Sequence, residues 1–352
     1  MSTITNWFKT QLNNPQVVFL TLFLLAFFAV LVFMGQMLAP LLAAIVIAYL
    51  LEGLVKILQR LGVSRLLAVV VVYLAFLLFV TLIVFRLMPL LSQQTTQFVQ
   101  QIPSMLGAGQ TALLKLPESY PEIVSTEQIS EIMKLIQTEV TALGQQLLSL
   151  SVASVLGLIA VLIYLILMPI LIFFLMKDKQ RLVDWIGGFA PRDHQLVTPV
   201  WSEVTRQIGN YVRVKFWEIV IVWFVCLVAF SLLSLQYSML LAVLVGVSVL
   251  IPYVGAAVVT IPVVLVAWFQ WGFSGEFFVL LSVYLIIQAL DGNVVVPLLF
   301  SEVNNLHPVA IITAVLIFGG VWGVLGVFFA IPLATLVHAV LRAWPRQIQD
   351  PT

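Results

Sequence analysis

Gln288, Asp291 and Asn293 interrupt an otherwise apolar run, Tyr284 to Phe300 (YLIIQALDGNVVVPLLF). An ionised carboxylate at the centre of a bilayer costs about 3 kcal/mol on insertion scales, so it normally faces protein or a water-filled cavity and marks an ion or solute site. Asp291 is therefore the first candidate binding residue, with Gln288 and Asn293 as polar companions. Asp291 is also a candidate proton carrier. The plain alternative is that it sits near an interface, or ties two helices together through hydrogen bonds.

The surroundings of this run narrow its chemistry. From Phe216 to Leu341 there is no Lys or Arg, while Glu218, Glu276, Asp291 and Glu302 remain. A region with acids and no bases suits a neutral polyhydroxylated solute or a cation better than a strongly anionic ligand. His307, next to Glu302 and ahead of Pro308, is read as a cap, with a proton-relay role for His307 and Glu302 as the alternative. His338 reads as a packing residue. No GxxxxGK[ST], HExxH or GxSxG motif and no Cys/His cluster occurs, so neither a catalytic residue nor a metal or other cofactor is expected. An intramembrane aspartyl protease needs paired carboxylates, and here Asp291 stands alone in its span. The chain reads as a non-enzyme, with coupling to protons or sodium ions as its energetic option. The basic residues are too sparse for nucleic acid.

The elements that carry these residues belong to a membrane. Apolar residues make up 62% of the chain and charged ones 9%, against roughly 45–50% and 25% in soluble domains. The apolar runs have helical rather than barrel-strand lengths. The fold expected is an all-α, multi-span helical bundle embedded in the lipid bilayer. Span one is read as Val17 to Met34, followed by a turn through Gly35 to Pro40 and a second crossing from Leu41 to Leu51. The third span is Leu66 to Phe85, the fourth Ser154 to Met176 and the fifth Phe216 to Leu235. The basic segment Lys177 to Lys215 lies in the cytoplasm by the positive-inside rule, and both termini follow it there. Its end, Val200 to Phe216, has the pattern of an interfacial helix. The single cysteine, Cys226, lies in an apolar run and reads as packing.

Five units follow: 1–86, an N-terminal three-span bundle; 87–151, a helical extracytoplasmic insert; 152–215, the fourth span and amphipathic helix; 216–341, the transport core; and 342–352, a cytoplasmic tail. In the insert, Ile129, Ile132, Ile136, Val140, Leu143, Leu147 and Leu150 make one apolar helical stripe. It packs either on the insert's first half or on a neighbouring subunit.

Two segments of the core, 238–270 and 308–341, exceed one comfortable crossing and fall short of two. Each is broken in the middle, the first at Pro252, Tyr253 and Gly255 before Ile261-Pro262, the second at Gly319, Gly320 and Gly323 before Ile331-Pro332. They form a weak direct repeat. Interrupted, repeated hydrophobic segments point to a transporter site, so the two breaks join Asp291 as candidate binding positions. Their length favours two re-entrant helical hairpins over two long kinked spans; loop charge does not decide between them.

Several stretches together resemble the permeases of the autoinducer-2 exporter family: Pro40 with Ala48-Tyr49-Leu50 and Arg65; Phe173-Phe174-Leu175 with Lys177-Asp178; Tyr211; Leu250 to Gly255; Asp291 to Pro297 with Asn293; Leu306-His307-Pro308; and Ile331-Pro332-Leu333. The likeness covers nearly the whole chain. It implies a bacterial inner-membrane bundle with two helical hairpins, a homo-oligomer of pentameric type, and export of a small polar solute such as autoinducer-2 by an elevator-like movement. It also implies sodium/proton antiport as an alternative activity. A non-transporting scaffold whose insert, Met88 to Leu150, binds an envelope partner is the alternative from a different class.

Overall fold

The structure, a computed structural model, describes residues 15–113, 130–131, 134, 138, 155–188, 197–252, 254–300 and 307–343. Among the described residues every regular element is helical. Five stretches are long and apolar enough to cross a bilayer: Met37–Arg60, Arg65–Thr111, Thr205–Leu232, Val254–Trp271 and Gly275–Leu298.

The first helix, α1 (Pro15–Arg60), runs unbroken for 46 residues, about 69 Å at roughly 1.5 Å per residue. The expected turn at Gly35 to Pro40 does not form. Proline removes one internal hydrogen bond, but Pro40 is buried within strongly helix-forming Leu and Ala. Gly35 serves contact instead: the Trp322 indole lies where its side chain would be.

Arg65–Leu82 forms α2, a π-helical turn covers Ile83–Leu87, and α3 (Met88–Leu113) follows at once, so the third span runs directly into the insert. Next come α4 (Val155–Lys177), the short α5 (Lys179–Gly187) and α6 (Val197–Leu232). The amphipathic stretch and the fifth span are thus one continuous helix. The stripe from Ile129 to Leu150 lies outside the described residues, apart from the exposed Ser130, Glu131, Lys134 and Thr138.

Both interrupted segments divide into two helices. In the first, α7 (Ser238–Ser248) is joined by a turn to α8 (Val254–Trp271). In the second, α11 (Pro308–Trp322) reverses at Gly323, φ 62°, into α12 (Val324–Ala343). Between them lie α9 (Gly275–Leu290), a π-turn over Asp291–Val295, and the short α10 (Val296–Phe300). At about 16 Å, α7 is far short of the roughly 30 Å hydrocarbon core.

The helix pairs repeat one device. A Cβ on Gly255 would strike the Ser248 carbonyl, and a Cβ on Gly326 would strike that of Phe318. Glycine is required at both places because backbone meets backbone. The two contacts fall at corresponding points of the sequence repeat.

Among the described residues two of the apolar cores frame the site, and a third gathers Tyr211 and Val212 of α6 with Ile331 of α12. Ala44, Ala48 and Val55 of α1 pack with Ala68, Val69 and Val72 of α2 and with Ile172 and Met176 of α4. The larger core joins α6, α7, α8 and α9 through Cys226, Phe230, Leu241, Val245, Val263, Val266, Leu280 and Tyr284. Met105 of α3 enters it, so the insert's first half packs on the first helix pair. Helix α6 borders α1, α7, α9, α10 and α12.

The turn between α6 and α7 holds Ser234 and Tyr237 at φ 56° and 57°, a left-handed conformation uncommon outside glycine. Gln270 fastens it: its Oε1 accepts from Gln236 N at 2.8 Å and its Nε2 donates to Ser234 O at 2.9 Å. The Gln94 Oε1 of α3 accepts from Leu240 N at 2.8 Å, and Phe98 meets Tyr237 edge to face.

Candidate functional site

Asp291 opens the π-turn between α9 and α10. Such turns place an extra residue in a helix and occur often at functional sites. Gly292 and Asn293, both poor helix formers, supply the local reason. Asp291 is half-buried; its Oδ1 is buried, with no hydrogen-bond partner among the described residues. Its charge acts on Lys215, Glu218 and Cys226, which therefore share its neighbourhood.

Lys215 changes the reading of this site. Read in sequence as the last basic residue of a surface segment, it is buried on α6 with a side chain only 6% exposed. Its Nζ lies 3.1 Å from Glu218 Oε1 and 2.8 Å from Oε2, and that carboxylate is 3% exposed. The same ammonium donates to Val249 O at 2.8 Å. Val249 caps the C-terminus of α7, where carbonyls have no helical partner and the helix dipole favours a cation. The expectation of a region without a base is thus corrected: one lysine joins the Glu218 carboxylate to the first break, and its charge acts on Asp291.

The predicted constellation divides. Gln288 Nε2 donates to Tyr284 Oη at 2.9 Å, and Tyr284 Oη is 3.0 Å from Thr260 Oγ1. This chain of polar groups links α9 to α8 through a fully buried tyrosine. Asn293, on the exposed side, donates back to Ala289 O at 2.8 Å. Only Asp291 of the three joins the charged cluster.

The breaks also differ. At the first, Pro252 O accepts from Val254 N at 2.7 Å and Gly255 N donates to Ile251 O at 2.9 Å. Lys215 ties this turn to the neighbourhood of Asp291. Tyr253 and Glu302 lie outside the described residues. At the second, Gly319 O accepts from Gly323 N at 2.7 Å. Trp322 lies on Gly35 and Phe318 stacks with Phe28 at 6.3 Å, so this tip packs on the N-terminal half of α1. Gly320 faces open space. His307 is the N-cap of α11, its Nδ1 accepting from Val309 N at 3.3 Å. His338 is exposed.

Tyr211 and Glu52 also escaped prediction as polar anchors. Proline at 332 lacks the N–H that would reach the carbonyl of Phe328, four residues back. The buried Tyr211 hydroxyl donates to that carbonyl at 3.2 Å. Beside it, Tyr49 of α1 lies against Gly209 and beneath the Arg213 guanidinium, 4.9 Å from the ring centroid. Glu52, 6% exposed, receives Arg65 at 3.1 Å and Lys179 at 3.3 Å, while Arg65 also donates to Met176 O at 3.0 Å. That cluster clamps α1, α2 and α4. The signal for Lys215 was its i,i+3 spacing to Glu218 at the start of an apolar run.

Among the described residues no group of His, Cys, Asp and Glu could hold a metal ion. The comparisons agree with a membrane carrier. "Putative permease PerM" of Escherichia coli (strain K12) is 44% identical over 342 residues, 97% of each chain. Two Bacillus subtilis (strain 168) proteins are more distant. "Putative transport protein YueF" is 23% identical over 320 residues, 89% of this chain and 84% of that one, and "Putative transport protein YrrI" is 25% identical over 307 residues, 86% and 85%. The model of the AI-2E family transporters matches residues 21–346. This all-helical, multi-pass chain, with its paired interrupted helices and its charged cluster, belongs to the AI-2E transporter family.

Proposed function

We propose that the protein is a secondary transporter that exports a small polar solute of the autoinducer-2 kind across the bacterial inner membrane, with Asp291, Lys215, Glu218 and the Val249 to Gly255 break forming its site. The observation that carries this reading is the buried Lys215 ammonium, which bridges Glu218 and a break carbonyl beside a carboxylate with an unpaired oxygen. A group of ions that stabilises only a fold need not be placed where a short helix ends within an apolar core.

One ammonium against two carboxylates favours a neutral or cationic ligand over an anionic one. This keeps the neutral-solute preference on a new footing, since it no longer depends on the lack of a base. Hydroxyl groups of such a solute would find the freed carbonyls of the break and the Asp291 oxygen as acceptors. Asp291 is the proposed carrier of a coupling proton or sodium ion. The assembly expected is a homo-oligomer of pentameric type, with both termini in the cytoplasm and an elevator-like movement. No catalytic role is assigned to any residue.

The test is efflux of labelled solute from loaded vesicles or cells. Asp291→Asn keeps the shape and removes the charge, and is expected to lower efflux at least tenfold without changing the amount of folded protein. Unchanged efflux would remove the site. Sodium/proton antiport is the second reading, favoured by the proximity of two carboxylates, Glu218 and Asp291. It predicts that sodium dissipates a pH gradient in vesicles, and that Asp291→Asn abolishes this response.

A further inference from the structure

Away from the charged cluster, the π-turn Ile83–Leu87 opens a groove of about 360 Å³ lined by Phe79, Leu82, Arg86, Leu90, Trp223 and Met239. Arg86 is its only charged lining residue and has no ion-pair partner among the described residues. We propose that this groove binds an anionic phospholipid, its phosphate on Arg86 and one acyl chain along the leucines and Trp223.

Three observations support the assignment. Arg86 lies 21 residues beyond Arg65 on a continuous helical path, about 31 Å at roughly 1.5 Å per residue, close to the roughly 30 Å thickness of a hydrocarbon core. The two arginines therefore stand at opposite edges of the apolar slab, which puts Arg86 at headgroup level. The lining is otherwise apolar, with Phe79, Leu82 and Leu90 exposed on the surface of the chain. Finally, guanidinium is a planar donor fork matched to phosphate oxygens, and no carboxylate among the described lining residues competes for it. The volume is too small to enclose a lipid, so the ligand is held along one chain and at its head. Gln94 fixes the groove's α7 wall by its bond to Leu240, next to Met239.

Native mass spectrometry of the full-length purified protein tests this, with phosphatidylglycerol and phosphatidylcholine of identical acyl chains as probes. The wild type is expected to retain phosphatidylglycerol several-fold better. Arg86→Gln, on an exposed side chain, should erase that preference while the circular dichroism and unfolding midpoint stay unchanged. Met239→Trp, which fills the groove, should reduce retention of both lipids. A headgroup preference that survives Arg86→Gln overturns the proposal. So does equal retention of both lipids by the wild type. Leu87→Cys reports a second copy in the groove: efficient disulfide formation between copies in the bilayer on addition of a mild oxidant also refutes lipid occupancy.

Discussion

Replacing Lys215 by Met keeps the aliphatic stem and deletes the ammonium. Two partners are then stranded. Glu218, 3% exposed, becomes a buried carboxylate without its cation, a loss worth about 3–5 kcal/mol when one member of a buried pair is removed. The Val249 carbonyl loses a donor at 2.8 Å, worth a further ~1–3 kcal/mol if nothing replaces it. The two losses share one atom and do not simply add, so a total of about 4 kcal/mol is expected. At roughly 2 °C per kcal/mol for a chain of this size, the unfolding midpoint should fall by roughly 8 °C. Glu218→Gln should cost less, because Lys215 keeps Val249 and the field of Asp291.

The sign of the double mutant is decisive. In Lys215→Met with Glu218→Gln no charge is stranded in the pair, so the double variant should be more stable than Lys215→Met alone. If Asp291 is the principal counter-charge, Lys215→Met with Asp291→Asn is the variant that recovers. Scanning calorimetry or intrinsic fluorescence of the detergent-purified protein reads all four midpoints. The reasoning fails if neither double variant rises above the single lysine variant. It also fails if Lys215→Met costs no more than Lys179→Met, whose lysine is 42% exposed in its pair with Glu52.

Other perturbations test the frame around the cluster. Gly255→Ala and Gly326→Ala should each destabilise by about 1–3 kcal/mol, since a methyl group meets a backbone carbonyl that cannot rotate away; Gly320→Ala, in open space, should leave the melting curve within about 0.5 kcal/mol. Tyr211→Phe should cost about 1–3 kcal/mol by leaving the Phe328 carbonyl unpaired. Pro332→Ala restores an N–H to that carbonyl, so a double-mutant cycle of the two in thermal unfolding should show strong coupling, and simple additivity would contradict the pairing. Gln270→Ala frees the left-handed turn at Ser234 and Tyr237, and hydrogen exchange should quicken at Gln236 and its neighbours while α9 stays protected.

The helical, membrane-spanning fold was legible because the apolar runs are long and the termini carry local signals. Pro308 opens α11 behind the His307 cap, and Ser274 Oγ accepts from Phe277 N ahead of α9. The two interrupted segments were legible for the same reason: glycine and proline disrupt helices wherever they occur. What sequence missed was continuity and burial. Gly35 and Pro40 read as a turn, yet the glycine answers a tryptophan nearly 290 positions away, and no local pattern carries that information. Nothing in Ile83 to Leu87 marks a π-turn. Lys215 was read by its neighbours in sequence, a run of surface bases, although its neighbours in space are two acids and a helix end. Asp291 stood out because its cost is intrinsic to the residue; Lys215 did not, because a lysine beside a polar segment has an inexpensive alternative in water.

These contacts converge on one face of α6. Tyr211 and Lys215 are four residues apart, hence one above the other on the helix. The tyrosine holds the Phe328 carbonyl, exposed by Pro332 in the second helix pair; the lysine holds the Val249 carbonyl, exposed where α7 stops in the first. The first pair is thus fastened to α6 through a carbonyl released at its break, and the second through a carbonyl freed by the proline inside α12. The two bonds differ in kind. Tyr211 is a neutral donor, whereas Lys215 is a cation paired with Glu218 and lies in the field of Asp291. A cation or proton arriving at Glu218 would weaken its hold on the ammonium and so act on the first pair. A change of charge at Glu218 therefore has a direct route to the end of α7, through one side chain and one carbonyl.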